Sequence, residues 1–288
     1  MNIKISEWKA GLIGKGIQAS LTPAMHMEEG RVQGLDYRYE LIDVGAMGDV
    51  VPSLEELLAG AEERGLHGLN ITHPFKQQVI EHLTDLSDDA RALGAVNTVV
   101  LRNGQRIGRN TDWWGFSESF QRGLPNADLA SVVQLGAGGA GAATAYAILK
   151  LGAQQLAIFD HDRAKVESLI DALAGVFPNV TLSAGDDIAA SMASASGLIH
   201  ATPTGMASYP GLPLPEELLL PHQWVAEVVY FPLETELLRV ARAKGCAVLN
   251  GGGMAVFQAV GAFQHFTGLE ANRQRMLDHF LDLTGQGS

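Results

Sequence analysis

Apolar residues in the first third of the chain follow two different periods. Tyr37, Tyr39 and Leu41 interleave with Arg38 and Glu40, the period-two pattern of a half-buried strand. Leu54, Leu57 and Leu58 recur at helical spacing, and Ser53 ahead of Glu55 and Glu56 supplies an N-cap. Apolar runs at residues 10–13, 67–71 and 96–101 predict further strands. Pro74 suits the first turn of a helix, where its missing N–H removes no bond. Asn103-Gly104 is a hairpin signal, with a returning strand at 106–108. A helix is predicted over 112–121, and Gly123-Leu-Pro-Asn126 closes the connection between the two halves of the chain.

The second half repeats a strand-then-helix unit. Strand candidates begin near residues 131, 155, 179, 197, 224 and 246, the complement of a doubly wound parallel sheet. From Met254 onward apolar residues recur on helical faces, and these C-terminal helices are expected to return to the first domain. The expected fold is α/β in two domains: residues 1–111 joined by helices 255–288, and a doubly wound domain over 112–254.

The second domain opens on SVVQLGAGGAGAATAYAILKL, a strand, a glycine turn and a helix. Gly136, Gly138 and Gly141 form G-x-G-x-x-G, and Asp160 ends the next apolar run, 155–159. This is the dinucleotide-binding layout. The first glycine permits a tight turn, the second lets backbone approach a pyrophosphate, and the third lets helix and strand pack closely. The turn Gly136, Ala137, Gly138, Gly139, Ala140 and Gly141 would hold the diphosphate at a helix N-terminus. With 33 glycines the bare motif arises by chance, and the flanking strand, helix and acid are what make it specific.

Composition narrows the partners. A net charge of −12 argues against nucleic acid or an anionic membrane surface, and it requires local donors if the substrate is itself an anion. The single cysteine, Cys246, excludes an intrachain disulfide, fits a reducing compartment, and reads as a small buried residue at a strand start. No signal-peptide pattern or long apolar span is present, so a cytoplasmic location is expected. His26, His73 and His161 lack metal-ligand spacing, and no metal is expected.

Three more segments carry chemistry: Ser20-Leu-Thr-Pro-Ala-Met-His26; Asn70-Ile-Thr-His-Pro-Phe-Lys76 followed by Gly94-Ala-Val-Asn-Thr98; and Asn110-Thr-Asp112. Each has a plainer reading alone. S-x-T-P is more often a helix start, and a lysine on a first helical turn is more often solvated. Together, and with Ala201-Thr-Pro-Thr-Gly-Met206 and the stretch from Gly253-Met254 to Gln258, they resemble the shikimate and quinate dehydrogenase family over nearly the whole chain.

The resemblance implies an oxidoreductase acting on a ring hydroxyl of a cyclohexane or cyclohexene carboxylate, shikimate and/or quinate, to give the 3-dehydro product. It implies Lys76 and Asp112 as the catalytic pair. A lysine beside a carboxylate can shuttle the hydroxyl proton, provided it is neutral for part of the cycle. Ser20 and Thr22 match the hydroxyl residues that hold the substrate carboxylate, while Thr72, Asn97 and Gln258 match those that read ring hydroxyls. Tyr230 matches a residue that closes over the substrate, although a tyrosine packing at a strand end explains it nearly as well. Thr202, Pro203, Gly253 and Met254 match cofactor-binding positions. A monomer or homodimer is expected.

Two departures shape the expectation. Thr22 stands where shikimate-specific members usually have serine, which resembles the quinate/shikimate branch. NADP-dependent members usually end the second strand in Asn-Arg-Thr, whereas this chain has Asp160-His161-Asp162. A carboxylate accepts from both ribose hydroxyls and repels a 2′-phosphate, so NAD is expected over NADP. Arg163 lies close enough in sequence to be recruited to a phosphate. Met27 and the pair Trp113-Trp114 fall outside the family pattern and leave two rivals open: a dehydrogenase of an amino-substituted ring acid, and an NAD-responsive sensor without turnover. One of the two tryptophans is expected at the domain junction.

Overall fold

The computed structural model describes residues 7–48 and 50–286. Its contacts divide into two units: residues up to Thr111 with those from Val256 onward, and Asp112–Ala255.

The first unit contains β1 (Glu7–Gly14), α1 (Thr22–Val32), β2 (Asp36–Asp43), α2 (Leu54–Glu63), β3 (Gly68–Ile71), β4 (Asp85–Leu86), α3 (Asp88–Leu93), β5 (Thr98–Arg102) and β6 (Gln105–Arg109). They form a mixed sheet in the order β2-β1-β3-β5-β6-β4, with β1 parallel to both β2 and β3 and with β5 antiparallel to β3 and β6. Ser53 caps α2 in a reciprocal capping box with Glu56, so Leu54, Leu57 and Leu58 enter a core with Ile13, Leu69, Ile71 and Val99. Asn103 (φ 53°) and Gly104 (φ 72°) both take left-handed backbone, which joins β5 to β6 in a tight hairpin. Pro74 does not begin an α-helix: it lies in a run of turns that leads to a 3-10 helix at Gln78–His82. The chain there is held by a local turn, Phe75 N–H on the Thr72 carbonyl, and by a long-range bond, the Lys76 carbonyl accepting from Val96 N–H.

The second unit contains α4 (Asp112–Gly123), β7 (Val132–Leu135), α5 (Gly139–Lys150), β8 (Gln155–Phe159), α6 (Arg163–Val176), β9 (Thr181–Ala184), α7 (Ile188–Ser194), β10 (Gly197–His200), β11 (Trp224–Glu227), α8 (Glu236–Ala243) and β12 (Ala247–Leu249). Its six strands are all parallel, in the order β12-β11-β10-β7-β8-β9, the doubly wound arrangement. Val133, Leu198, Val225 and Leu237 centre its core. Cys246 is buried just ahead of β12 with its thiol on the Leu220 carbonyl.

The chain closes with α9 (Gly252–Thr267) and α10 (Arg273–Leu283). A Cβ at Gly68 would lie 2.0 Å from the Phe266 ring, so the bare strand surface there is what lets α9 seat. Buried Glu29 of α1 accepts from Arg275 (2.7 Å), from Asn272 N–H and from Gln33, which pins α10 to α1. Burial opposes ionisation of Glu29, but those donors outweigh it and hold its carboxyl below the usual range. No described helix is long and apolar enough to cross a membrane.

Candidate active site

The glycine turn at the end of β7 is built by close approach. Gly136 has φ 105°, and a Cβ there would lie 2.5 Å from the Ala201 carbonyl oxygen. A Cβ at Gly141 would lie 2.2 Å from the Gly136 carbonyl oxygen. These two glycines answer to the protein's own packing. Gly138 and Gly139 do not, since a Cβ at either would meet open space. Gly138 is also the N-cap of α5 and offers no side-chain cap, so the helix start presents bare backbone N–H groups. A turn kept clear of side chains at the positive end of a helix fits a diphosphate.

Three side chains brace this turn. Fully buried Gln134 donates to the carbonyls of Gly136 (2.9 Å) and Gly141 (2.8 Å), and Thr144 donates to Gln134 (3.0 Å). Asp160, at the end of β8, accepts from Ala137 N–H (2.8 Å) and Asp162 N–H (3.0 Å). Partial burial works against its charge, and the N–H groups of Asp162 and Ala137, with Lys165 and His161 nearby, prevail and keep its carboxyl below the ordinary value. Arg163 is exposed and holds Asp186 (2.6 Å) and Glu167 (3.2 Å). Thr202 and Pro203 follow β10, next to the turn. Gly253 and Met254 lie in the first turn of α9, reached through Gly251, where a Cβ would lie 2.3 Å from the Val228 carbonyl oxygen. Tyr230 follows β11 and stacks at a tilt on Phe231, 5.2 Å between centroids. Trp113 meets Tyr146 of α5 edge-on at 5.3 Å.

In the first unit the loop after β1 carries Ser20 and Thr22. Ser20 Oγ accepts from Thr22 N–H (3.3 Å), and its own N–H bonds the Ile17 carbonyl. Leu21, not Ser20, is the N-cap of α1, and it gives no side-chain bond. Asp43 organises this loop from the end of β2. Its carboxylate accepts from Gly16 N–H (2.8 Å), Ile17 N–H (3.1 Å), Gln18 Nε2 (3.0 Å) and Gly45 N–H (2.9 Å). The Gln18 amide and those backbone donors hold the Asp43 carboxyl below its usual range.

Thr72 packs against β1 where a Cβ at Gly14 would lie 2.3 Å from its methyl group. The bond from Val96 N–H to the Lys76 carbonyl (2.8 Å) brings the Lys76 turn beside Asn97. Asn97 is buried and engages Thr111, accepting from its N–H (2.7 Å) and donating to its hydroxyl (2.9 Å). Asn97 therefore fixes the residue directly before Asp112, which begins α4 in the second unit and is itself buried. Gln258 lies partly buried on α9. His26 takes no part in proton chemistry near neutrality: burial drives it down to about 3, and its Nδ1 pairs with the Tyr37 hydroxyl at 3.1 Å.

Sequence reasoning missed Gln134, Asp43 and the buried pair His200 and Glu227. Each left a signal, a polar residue inside or at the end of an apolar strand, but nothing in the sequence names its partner.

Residues 12–99 match the family model described as the shikimate dehydrogenase substrate binding domain. The chain is 51% identical over 285 residues to a shikimate dehydrogenase (NADP(+)) of Pseudarthrobacter chlorophenolicus, covering 98% of this chain and 97% of the relative. It is 45% identical over 276 residues to a quinate/shikimate dehydrogenase (NAD(+)) of Corynebacterium efficiens, covering 95% and 97%. Among solved structures, quinate dehydrogenase from Corynebacterium glutamicum in complex with NAD superposes with a TM-score of 0.93 at 44% identity, covering 96% of this chain and 99% of that one.

Proposed function

The chain belongs to the shikimate and quinate dehydrogenase family, and we propose that it oxidises a ring hydroxyl of shikimate or quinate with NAD in preference to NADP. Relatives of both cofactor names are similar along almost the full length, so overall identity does not choose between them. The observation that carries the choice is Asp160. Its carboxylate closes β8 directly beside the Ala137 N–H of the glycine turn, and its charge is stabilised there by backbone donors. An ionised carboxylate at that place accepts from ribose hydroxyls and repels a phosphate ester. Arg163, the cation nearest in sequence, is engaged with Asp186 and Glu167.

The nicotinamide ring, when bound, supplies the acceptor for the hydride that leaves the ring carbon. The protein supplies the rest. Lys76 Nζ takes the hydroxyl proton, with Asp112 as its carboxylate partner. Ser20 and Thr22 donate to the substrate carboxylate, which answers the need for local donors on an acidic protein. Thr72, Asn97 and Gln258 discriminate the ring hydroxyls, and a missing hydroxyl leaves a polar group without its partner. Asn97 also acts through Thr111, on the approach to Asp112.

The test is incubation of purified protein with shikimate or quinate and NAD or NADP, following reduced nicotinamide and the 3-dehydro acid together. Both should appear with NAD. Absence of both products in all four mixtures contradicts the reading, and turnover confined to an amino-substituted ring acid would move it to that substrate.

A further inference from the structure

The last residues of β10 and β11, His200 and Glu227, are register partners and both are fully buried. The Glu227 carboxylate accepts from His200 Nδ1 (2.9 Å), from Val228 N–H (2.9 Å), from Val229 N–H (3.0 Å) and from the Thr235 hydroxyl (3.1 Å). A carboxylate only accepts, so Nδ1 carries a hydrogen and holds the ring in place, and Nε2 bonds the Thr202 hydroxyl at 2.5 Å. Thr202 Oγ1 in turn accepts from Thr204 N–H (3.4 Å). The segment so held lies on the glycine turn: a Cβ at Gly136 would be 2.5 Å from the Ala201 carbonyl oxygen and 3.2 Å from Thr202 Cγ2.

Burying a carboxylate and an imidazole together costs free energy that an apolar pair at the same place would not. What the pair does provide is direction, because hydrogen bonds fix the rotamer of Thr202 and the course of residues 201–204 in a way that dispersion contacts do not. The strand ends where it sits are the edge at which open α/β sheets take ligands.

We propose that Glu227 and His200 are positioning residues. Through Thr202 they hold residues 201–204 against the glycine turn, and so set affinity for the dinucleotide and its presentation for reaction. Glu227 separately anchors Val228 and Val229, the approach to Tyr230, so the His200 link can be cut while that approach keeps its own bonds. The proposal rests on the dinucleotide-dependent activity proposed above.

The experiment is equilibrium titration of NADH by fluorescence, with steady-state kinetics alongside, on the full-length protein carrying His200→Leu. NADH Kd and the KM for NAD should rise about tenfold, the scale of losing a hydrogen bond to a charged partner's chain, with the KM for the ring acid within about twofold. The Thr202→Val variant should match it, Thr202→Ser, which keeps the hydroxyl, should bind NADH several-fold more tightly than Thr202→Val, and the His200→Leu/Thr202→Val double variant should be no weaker than either single one. An NADH Kd within about twofold of wild type in folded His200→Leu overturns the proposal, as does a double variant whose losses multiply. Should His200→Leu fail to fold, Thr202→Val against Thr202→Ser decides, and equal affinity of the two overturns it. Titration reads binding whether or not the wild-type protein turns over a ring acid, so failure of the proposed activity shows separately, as wild-type silence in the kinetics.

Discussion

The two loops proposed above to hold anions are built by different means. The turn at residues 136–141 follows β7 directly and is made of backbone, with glycine where any side chain would collide or intrude. The loop at residues 16–22 follows β1 and presents hydroxyls, and its course is set by a carboxylate on a neighbouring strand, Asp43. The first suits a diphosphate, which asks for many N–H groups and room. The second is proposed to hold a single carboxylate on a small ring, which asks for a few oriented donors. Gln134 and Thr144 brace the first from inside its strand–turn–helix unit, with Asp160 added from the end of the next strand, whereas Asp43 braces the second by long-range bonds.

The largest expected effect separates chemistry from dinucleotide binding. Lys76→Ala should lower turnover by about 10²–10⁴-fold, the usual worth of a positioned acid–base group, and leave NADH affinity near wild type. Rapid-mixing kinetics with titration checks both, and near-normal turnover would remove Lys76 from the mechanism.

The glycine turn can be split next. Gly141→Ala sets a Cβ 2.2 Å from a carbonyl oxygen and should cost about 1–3 kcal/mol in urea unfolding. Gly138→Val places its Cβ in open space and should cost less stability than Gly141→Ala, while weakening NADH binding. If Gly138→Val bound NADH normally, the open space would not be the diphosphate's.

Acid should act on the first unit. His26 is held to about 3 in the folded protein, far below the value near 6.5 of an unfolded chain. Between those values the unfolded state binds a proton that the folded state refuses, so stability falls as pH falls, by about 2 kcal/mol from pH 6.5 to 5. His265, held to about 4 by burial, adds in the same direction. Urea unfolding at both pH values should show a shallower loss in His26→Leu than in wild type, whatever that variant's stability at neutral pH.

The smallest effect tests the Asp43 brace. Asp43→Asn should raise the KM for the ring acid by a few-fold, the scale of weakened hydrogen bonds, without moving NADH affinity. An effect confined to NADH would invert the contrast between the loops.

The same contrast separates what is legible in the sequence from what is not. The parallel strands of the second unit were legible almost to the residue, β8, β10 and β11 starting where their apolar runs start, because each strand is a local run bounded by turn residues. The hairpin at Asn103-Gly104 and the Ser53 cap were legible for the same reason. Pro74 misled because its surroundings are fixed by Val96 and other distant residues, not by helix propensity. The braces Gln134, Asp43, His200 and Glu227 were invisible because a polar residue in an apolar strand announces a partner without saying which. Asn97 was legible only as a motif position, and its bonds to Thr111 came from the fold.

The most direct test of the central claim is the ratio of kcat/KM for NAD to that for NADP, measured on the wild-type protein with shikimate and with quinate. The Asp160 carboxylate predicts a ratio above about ten with whichever acid is turned over, the cost of one unfavourable charge contact with a 2′-phosphate. A ratio at or below one would contradict the account and assign the dinucleotide site of this chain to NADP.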